Sequence, residues 1–322
     1  MTRLEEMLDG AESLVILGHV NPDGDCAGSC LALYNYVKKR NPGLYVKLYL
    51  QPVSGRFSYL EGFDCIESAL SGEEVFDLCV CLDCSDRERL GEFAGFLDTA
   101  KNSICIDHHV TNQGYARENI IEGKASSTCE VLYGQLSEEL LDQDIAACLY
   151  TGLIHDTGVF RYSCTSEKTM EIAGKLMSTG FDFTWIIDNG FFKKTYLQSQ
   201  ILGRALMESI RFLDGRCIFT VVKKQDMIFY GVEPRDLEGI VDQLRTIDGV
   251  ECAIFLYETD NHMYKVSMRS NDVVDVSRIA SYFGGGGHVR AAGCTMSGSV
   301  HDVVNNLSGH IEKQLISEKP HG

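Results

Sequence analysis

The chain has 322 residues, room for two ordinary domains, and 44% of them are hydrophobic, enough for a sizeable core. Only 5 prolines and no long Ser/Gly-rich or Pro-rich tract argue against extensive disorder. A formal net charge of −17 excludes a broad basic clamp on long nucleic acid, which needs many Lys/Arg–phosphate contacts, but not a small anionic ligand, because a bound metal reverses the local field. Residues 1–7 carry both signs of charge with no apolar run behind them, and no apolar stretch reaches transmembrane length. The 13 cysteines fall mostly inside apolar runs such as 78–82 and 146–149, without paired C-x-x-C motifs. The reading is a cytoplasmic protein that uses Cys as a small buried hydrophobe, with no membrane partner.

In chain order, 13–17 predicts a short buried strand, 21–25 a turn punctuated by Pro22 and Gly24, and 27–39 a helix with Leu31, Leu33, Tyr34 and Val37 at helical spacing. Strands are predicted over 45–50, 76–82 and 103–106, and helices over 127–136 and 145–154. Another helix begins at Ser166, a good N-cap with Thr169 three residues on. Alternating strands and helices predict an α/β unit on a parallel sheet. Beyond Gly180 the character changes: 196–210 reads as one amphipathic helix, then strands at 217–222, 252–257 and 264–268, with helices at 237–244 and 273–283. Asp214–Gly215 between two apolar runs is a hairpin signal. The expected division is a catalytic domain over 1–190, a helical linker over 191–210 and a smaller α+β domain over 211–322.

Three predicted strands end in acidic clusters, where open parallel sheets place ligands. In His19-Val-Asn-Pro-Asp-Gly-Asp25, the side chains of His19, Asp23 and Asp25 share one turn, and holding them together is costly without a cation. Asp83 closes the second strand; the plain alternative for that cluster is a helix cap at Ser85 or Asp86, as it is for Asp23 or Asp25 taken alone. Asp107-His108-His109 closes the third; adjacent residues of an extended chain point opposite ways, so one His faces a metal and the other is left for substrate, with Asp107 orienting a ring. Asp156, at the end of the 145–154 helix, is within reach of the same pocket, and Arg161 can meet a phosphate. Together the carboxylates and imidazoles point to a metal-dependent hydrolase.

The order His-x-Asn-Pro-Asp-Gly-Asp, strand-end Asp, Asp-His-His and then Asp resembles the DHH phosphoesterase family. Phe283-Gly-Gly-Gly-Gly-His288-Val-Arg290-Ala-Ala-Gly293 resembles the glycine-rich motif of that family's associated C-terminal domain, and Ser267-Met-Arg269-Ser270 its arginine-bearing strand. Length and domain pair are most similar to the nanoRNase/pAp-phosphatase branch. The resemblance implies two divalent ions, with manganese the first choice: His19 and Asp23 on one, Asp25, His108 and Asp156 on the other, Asp83 bridging both, and His109 beside the substrate phosphate. It also implies an active site in the cleft between the domains, with Arg269, Gly285, Gly286, Gly287, His288 and Arg290 gripping the substrate.

The chemistry expected is water activation by two metals and in-line displacement at phosphorus. His109 or His288 would move a proton, the general acid being unassigned. The expected substrates are short single-stranded oligoribonucleotides and dinucleotides such as pApA, cleaved to mononucleotides by exonuclease action, and pAp, cleaved to AMP. A manganese-dependent inorganic pyrophosphatase shares the first ligand set, but its basic C-terminal run is missing. A nucleotide-binding regulator without catalysis is disfavoured by the intact ligand set, and a processive single-strand DNA exonuclease by the lack of room for an added domain. A homodimer stands as the working expectation for the assembly.

Overall fold

The computed structural model describes residues 1–70 and 74–317, and the chain divides into two units, Met1–Lys193 and Lys194–Gly322. The first unit is built on six parallel strands: β1 (Ser13–Leu17), β2 (Tyr45–Tyr49), β3 (Ile66–Glu67), β4 (Leu78–Leu82), β5 (Asn102–Asp107) and β6 (Glu118–Ile121), in the spatial order 3-2-1-4-5-6. Strand order therefore reverses between β1 and β4, and such a reversal opens a crevice at the carboxyl ends of the strands.

The helices of this unit are α1 (Arg3–Asp9), α2 (Gly24–Arg40), α3 (Ala94–Thr99), α4 (Thr128–Tyr133), α5 (Gln143–Asp156), α6 (Glu167–Met177) and the short α7 (Phe183–Ile186), which runs on into a wider helical turn at Ile187–Phe192. Side chains alternate along each strand, so each core strand feeds two cores. Leu14, Ile16, Leu78, Val80, Leu82, Ile104 and Ile106 pack with α2, α4 and α5. Val15, Leu17, Cys79, Cys81 and Cys105 pack on the opposite face with Phe76, Leu90, Phe93 and Phe96. The small cysteine side chains sit together there under a thin aromatic layer, as buried hydrophobes.

The second unit is a six-stranded mixed sheet of β7 (Ile210–Phe212), β8 (Cys217–Val222), β9 (Cys252–Asp260), β10 (Met263–Ser270), β11 (Gly286–His288) and β12 (Ala291–Ser297), ordered 11-12-10-9-8-7. Among the described residues of this sheet only β8 and β9 pair in parallel. Its helices are α8 (Tyr196–Met207), α9 (Lys224–Tyr230), α10 (Ile240–Arg245), α11 (Val276–Tyr282) and α12 (Val300–Ser317). One face of the sheet buries Ile279, Val303, Leu307 and Ile311 from α11 and α12, the other Ile201, Ala205, Met227 and Leu244 from α8, α9 and α10. The architecture is thus a parallel α/β unit followed by a smaller α+β unit, as the alternation of elements predicts. The segment expected as a connector over 191–210 is largely α8, and its buried Ile201 and Ala205 make it part of the second unit's core. The hairpin predicted at Asp214–Gly215 joins β7 to β8, with Leu213, Asp214 and Gly215 all at positive φ. Among the described residues no helix is long and apolar enough to cross a membrane.

Candidate metal centre

The carboxyl ends of β1, β4 and β5 and the termini of three helices gather the acidic clusters. Past β1, His19 is buried, and its Nδ1 lies 2.8 Å from the Val20 carbonyl oxygen and 3.1 Å from an Arg89 guanidinium nitrogen. Asp23 is the N-cap of α2: its Oδ1 accepts the backbone N–H groups of Asp25 and Cys26, both at 3.1 Å. Asp25, in the first turn, is fully buried. Its two oxygens accept the Thr128 N–H (2.6 Å) and the Cys129 N–H (3.0 Å) at the start of α4. A carboxylate is favoured there by the exposed amide donors of a helix beginning.

Asp83 follows β4 with φ of 55°, a left-handed conformation that Asp tolerates better than most residues and that interrupts the strand's alternation. Its Oδ1 accepts the Thr128 hydroxyl at 3.0 Å. Three imidazoles surround it: His19 Nε2 at 3.3 Å from Oδ2, and His108 Nε2 and His109 Nδ1 at 3.7 and 3.8 Å from Oδ1. His108 Nε2 also lies 3.1 Å from Asp156 Oδ2, and His19 Nε2 lies 3.7 Å from Asp23 Oδ1. His109 is held by Asp107, Nδ1 to Oδ1 at 2.7 Å, and Asp107 in turn accepts the Asn112 amide at 2.7 Å. Asp107 is therefore the residue that orients a ring, and the ring is that of His109.

The electrostatics of this cluster are set by burial and by the acids themselves. Burial first, and then the neighbouring acids, push Asp25 and Asp83 above the usual carboxylate range; burial does the same to Asp156, against the pull of His108. Burial works against a charged His19 ring, but the Cys26 sulfur and the Asp23 and Asp83 carboxylates outweigh it and move that pKa upward. Three sets of donor atoms each lie within 4.8 Å of one another: His19–Cys26–Asp83, Asp83–His108–His109 and Asp25–His108–Asp156. Oxygen and imidazole donors massed in this way suit divalent ions, whose charge would offset the repulsion between the buried acids.

Five sequence-predicted ligands, His19, Asp25, Asp83, His108 and Asp156, fall in these sets, and His109 with them, while Asp23 stands beside them, its Oδ1 3.7 Å from His19 Nε2. His155, next to Asp156 in the chain, stays apart from them: it is packed against Phe57 and Phe191, with Nε2 3.2 Å from the Gly190 carbonyl oxygen, and burial lowers its pKa to about 4. After Asp156 the chain makes a left-handed turn, with Gly158, Val159 and Phe160 at φ of 56°, 56° and 61°, and delivers Arg161 to the surface. Thr128 and Asn112 were not singled out by sequence; the Ser127 N-cap position was the available signal for the first, and nothing marked the second.

In the second unit the glycine-rich run leads into strand β11, hairpinned to β12, and the Ala-Ala-Gly after it opens β12. A Cβ on Gly285 would stand 2.1 Å from the Gly293 carbonyl oxygen, and one on Gly287 2.5 Å from that of Ala291. These two glycines are explained by close approach to their own hairpin; around Gly286 there is open space. His288 is exposed. Arg269 donates from Nε to Asp242 at 3.0 Å. Arg290 donates to the carbonyl oxygens of Asp272 and Val274, so its guanidinium already fixes the chain ahead of α11.

Comparison with known proteins agrees with this geometry. The family model described as "DHH family, N-terminal domain" matches residues 13–153, and the "DHHA1 domain" model matches 215–316. The chain belongs to the DHH family of metal-dependent phosphoesterases, with a DHHA1 domain behind the DHH domain, and is a hydrolase by that membership. It is 29% identical over 315 residues to the bifunctional oligoribonuclease and PAP phosphatase NrnA of Thermus thermophilus, covering 92% of this chain and 89% of that one. It is 24% identical to the protein of the same name from Bacillus subtilis, covering 92% and 93%. The crystal structure of an exopolyphosphatase-related protein from Bacteroides fragilis superposes with a TM-score of 0.87 at 25% identity, covering 98% of this chain and 96% of the other.

Proposed function

We propose that this protein hydrolyses short oligoribonucleotides and dinucleotides such as pApA to mononucleotides, and removes the 3′-phosphate of pAp, using two divalent ions, manganese foremost. The observation that carries the reading is the Asp83 carboxylate ringed by His19, His108 and His109. A single buried acid facing imidazoles on two sides is suited to join two ion sites. Bound ions would supply Lewis-acid charge to the phosphate oxygens and make water a nucleophile near neutral pH.

His19, Asp23 and Asp83 would hold one ion, and Asp25, His108 and Asp156 the other. Thr128 fixes Asp83 through its hydroxyl and, with Cys129, fixes Asp25 through backbone amides, so the ligands are set before substrate arrives. The reaction adds water to phosphorus and breaks the P–O bond to the leaving nucleoside oxygen, which takes up a proton. His109, with Nδ1 committed to Asp107, exchanges protons through Nε2 and suits that position beside the phosphate. Arg269, exposed in part and steadied by Asp242, is the first candidate for binding substrate phosphate; the β11 hairpin with Gly286 and His288 is the second. Arg290 acts at one remove by ordering residues 272–274.

The names of the Thermus and Bacillus relatives support oligoribonuclease and pAp phosphatase activity over the other chemistries of this family. Steady-state assays with manganese on 5′-phosphorylated two- to five-mers, pAp, a long single strand and pyrophosphate test it. Turnover of the short substrates and pAp is expected. Efficient cleavage of the long strand alone, or of pyrophosphate alone, would reject it.

A further inference from the structure

One member of the donor groups is a sulfur that this reading leaves unused. Cys26, in the first turn of α2, is fully buried. Its Sγ lies within 4.8 Å of the donor atoms of His19 and Asp83, which are within the same distance of each other. The backbone holds the sulfur there: a Cβ on Gly18 would stand 2.4 Å from Cys26 Sγ and 2.5 Å from Leu50, so only glycine at the end of β1 leaves the slot that the thiol fills. Asp23, on the same side, is the exposed member of the cluster, and its Oδ1 already accepts two amide hydrogens. The most enclosed donors around His19 are thus a carboxylate and a thiol.

We propose that Cys26 is a thiolate ligand of the ion held by His19 and Asp83, which makes this pocket a nitrogen–sulfur–oxygen site selective for iron(II), cobalt(II) or zinc over magnesium. The inference rests on the metal-dependent reading above and sharpens it, by assigning one of the two ions to a softer class than the other. Thiolate favours borderline and soft metals, whereas magnesium prefers all-oxygen shells. On binding, the Cys26 S–H bond breaks, the sulfur keeps the electron pair and donates it to the ion, and the proton leaves to solvent. The Asp25–His108–Asp156 group has no sulfur in its donor set and keeps the harder preference. Two other cysteines serve as internal controls: Cys30, one helical turn further along α2, and Cys129, whose Sγ lies 3.8 Å from the Asp25 carbonyl oxygen.

The test is to strip the full-length protein of metal, load it with cobalt(II), and record the near-ultraviolet sulfur-to-cobalt charge-transfer band alongside a calorimetric count of bound ions. The band is expected in the wild type, Cys30→Ala and Cys129→Ala, and is expected to vanish in Cys26→Ser and Cys26→Ala. Because loss of even a ligand-orienting partner costs about 10–100-fold in metal affinity, Cys26→Ser should lower the cobalt-to-magnesium affinity ratio by at least about tenfold. X-ray absorption on the zinc-loaded wild type needs no variant and should show a sulfur neighbour at about 2.3 Å. Ions that bind with a purely nitrogen and oxygen shell, or a band that survives Cys26→Ala, overturn the proposal and leave the hydrolase reading standing. A wild type that binds no divalent ion overturns both.

Discussion

Replacing Gly152 with alanine tests how the ligand cage is held. Gly152 lies on α5 where that helix crosses α2 and α4, and a Cβ there would stand 2.3 Å from Cys129 Sγ and 2.5 Å from Asp25 Oδ1. Ordinary contact begins at 3.4 Å, so each of these atoms would have to retreat by about 1 Å. Neither has an easy retreat, because Asp25 Oδ1 accepts the Cys129 N–H and Oδ2 the Thr128 N–H. Overpacking of this kind costs about 1–3 kcal/mol, and losing a hydrogen bond to a buried carboxylate about 1.5–3 kcal/mol. Alanine returns about 1 kcal/mol through helix propensity, so Gly152→Ala should destabilise by about 1.5–5 kcal/mol. It should also weaken the ion bound by Asp25, His108 and Asp156. Urea unfolding followed by circular dichroism measures the first effect and metal titration calorimetry the second. Gly174→Ala on α6, where nothing lies within 4 Å of the added carbon, is the matched control and should stabilise by about 0.4–1 kcal/mol. If Gly152→Ala matches that control in stability and binds ions like the wild type, the argument from close approach is refuted.

Chelating the ions should expose a pH dependence of stability. In the ion-free fold, Asp25 is raised to about 7 and Asp83 and Asp156 to about 6, each from 3.8. A raised carboxyl contributes stability that is complete below its unfolded value and is lost as pH climbs through the folded value. The ion-free melting temperature should therefore fall between about pH 4 and pH 7, at about 2–4 °C for each kcal/mol lost, while the manganese-loaded protein holds steady; parallel melting curves across that window would contradict this. In the second unit, Glu251 is buried and accepts the backbone N–H groups of Asp272, Val273 and Val274 at 2.6–3.2 Å. Glu251→Ala should cost that unit about 3 kcal/mol in urea unfolding, since it strands buried donors, without changing ion affinity at the first unit. Arg269→Ala should raise KM for short oligonucleotides about 10–100-fold, the worth of a charge-assisted phosphate contact, with kcat and ion content nearly unchanged. A loss confined to kcat would place Arg269 elsewhere in the chemistry.

The parts of the site that sequence made legible are those governed by strand ends. Runs such as 78–82 and 104–106 are continuously apolar because both faces of a parallel strand are covered, and the first polar residue after each must emerge at the carboxyl edge. His19, Asp83, His108 and His109 were readable for that reason, and the family motif supplied their grouping. The contacts that hold them were not readable. Thr128 meets Asp25 and Asp83 across 103 and 45 residues of sequence, and no local period records such a meeting. Short pieces escaped as well: β3 has 2 residues and β6 has 4, too few for alternation to register. The Gly-Gly-Gly-Gly run was read as room for the close approach of a ligand, whereas at Gly285 and Gly287 the atoms that approach belong to the neighbouring strand. Arg290 was read as a phosphate grip; that its guanidinium also donates to the Asp272 and Val274 carbonyl oxygens is a contact no sequence can show.

The most direct measurement compares the wild type with Asp83→Asn, a change that keeps the shape of the side chain and removes its charge. Manganese content per chain and steady-state hydrolysis of a 5′-phosphorylated dinucleotide are read on the same samples. The wild type should hold two ions and turn over the dinucleotide, and the variant should lose most of both together. Full turnover by Asp83→Asn, or by wild type freed of metal, would contradict the account.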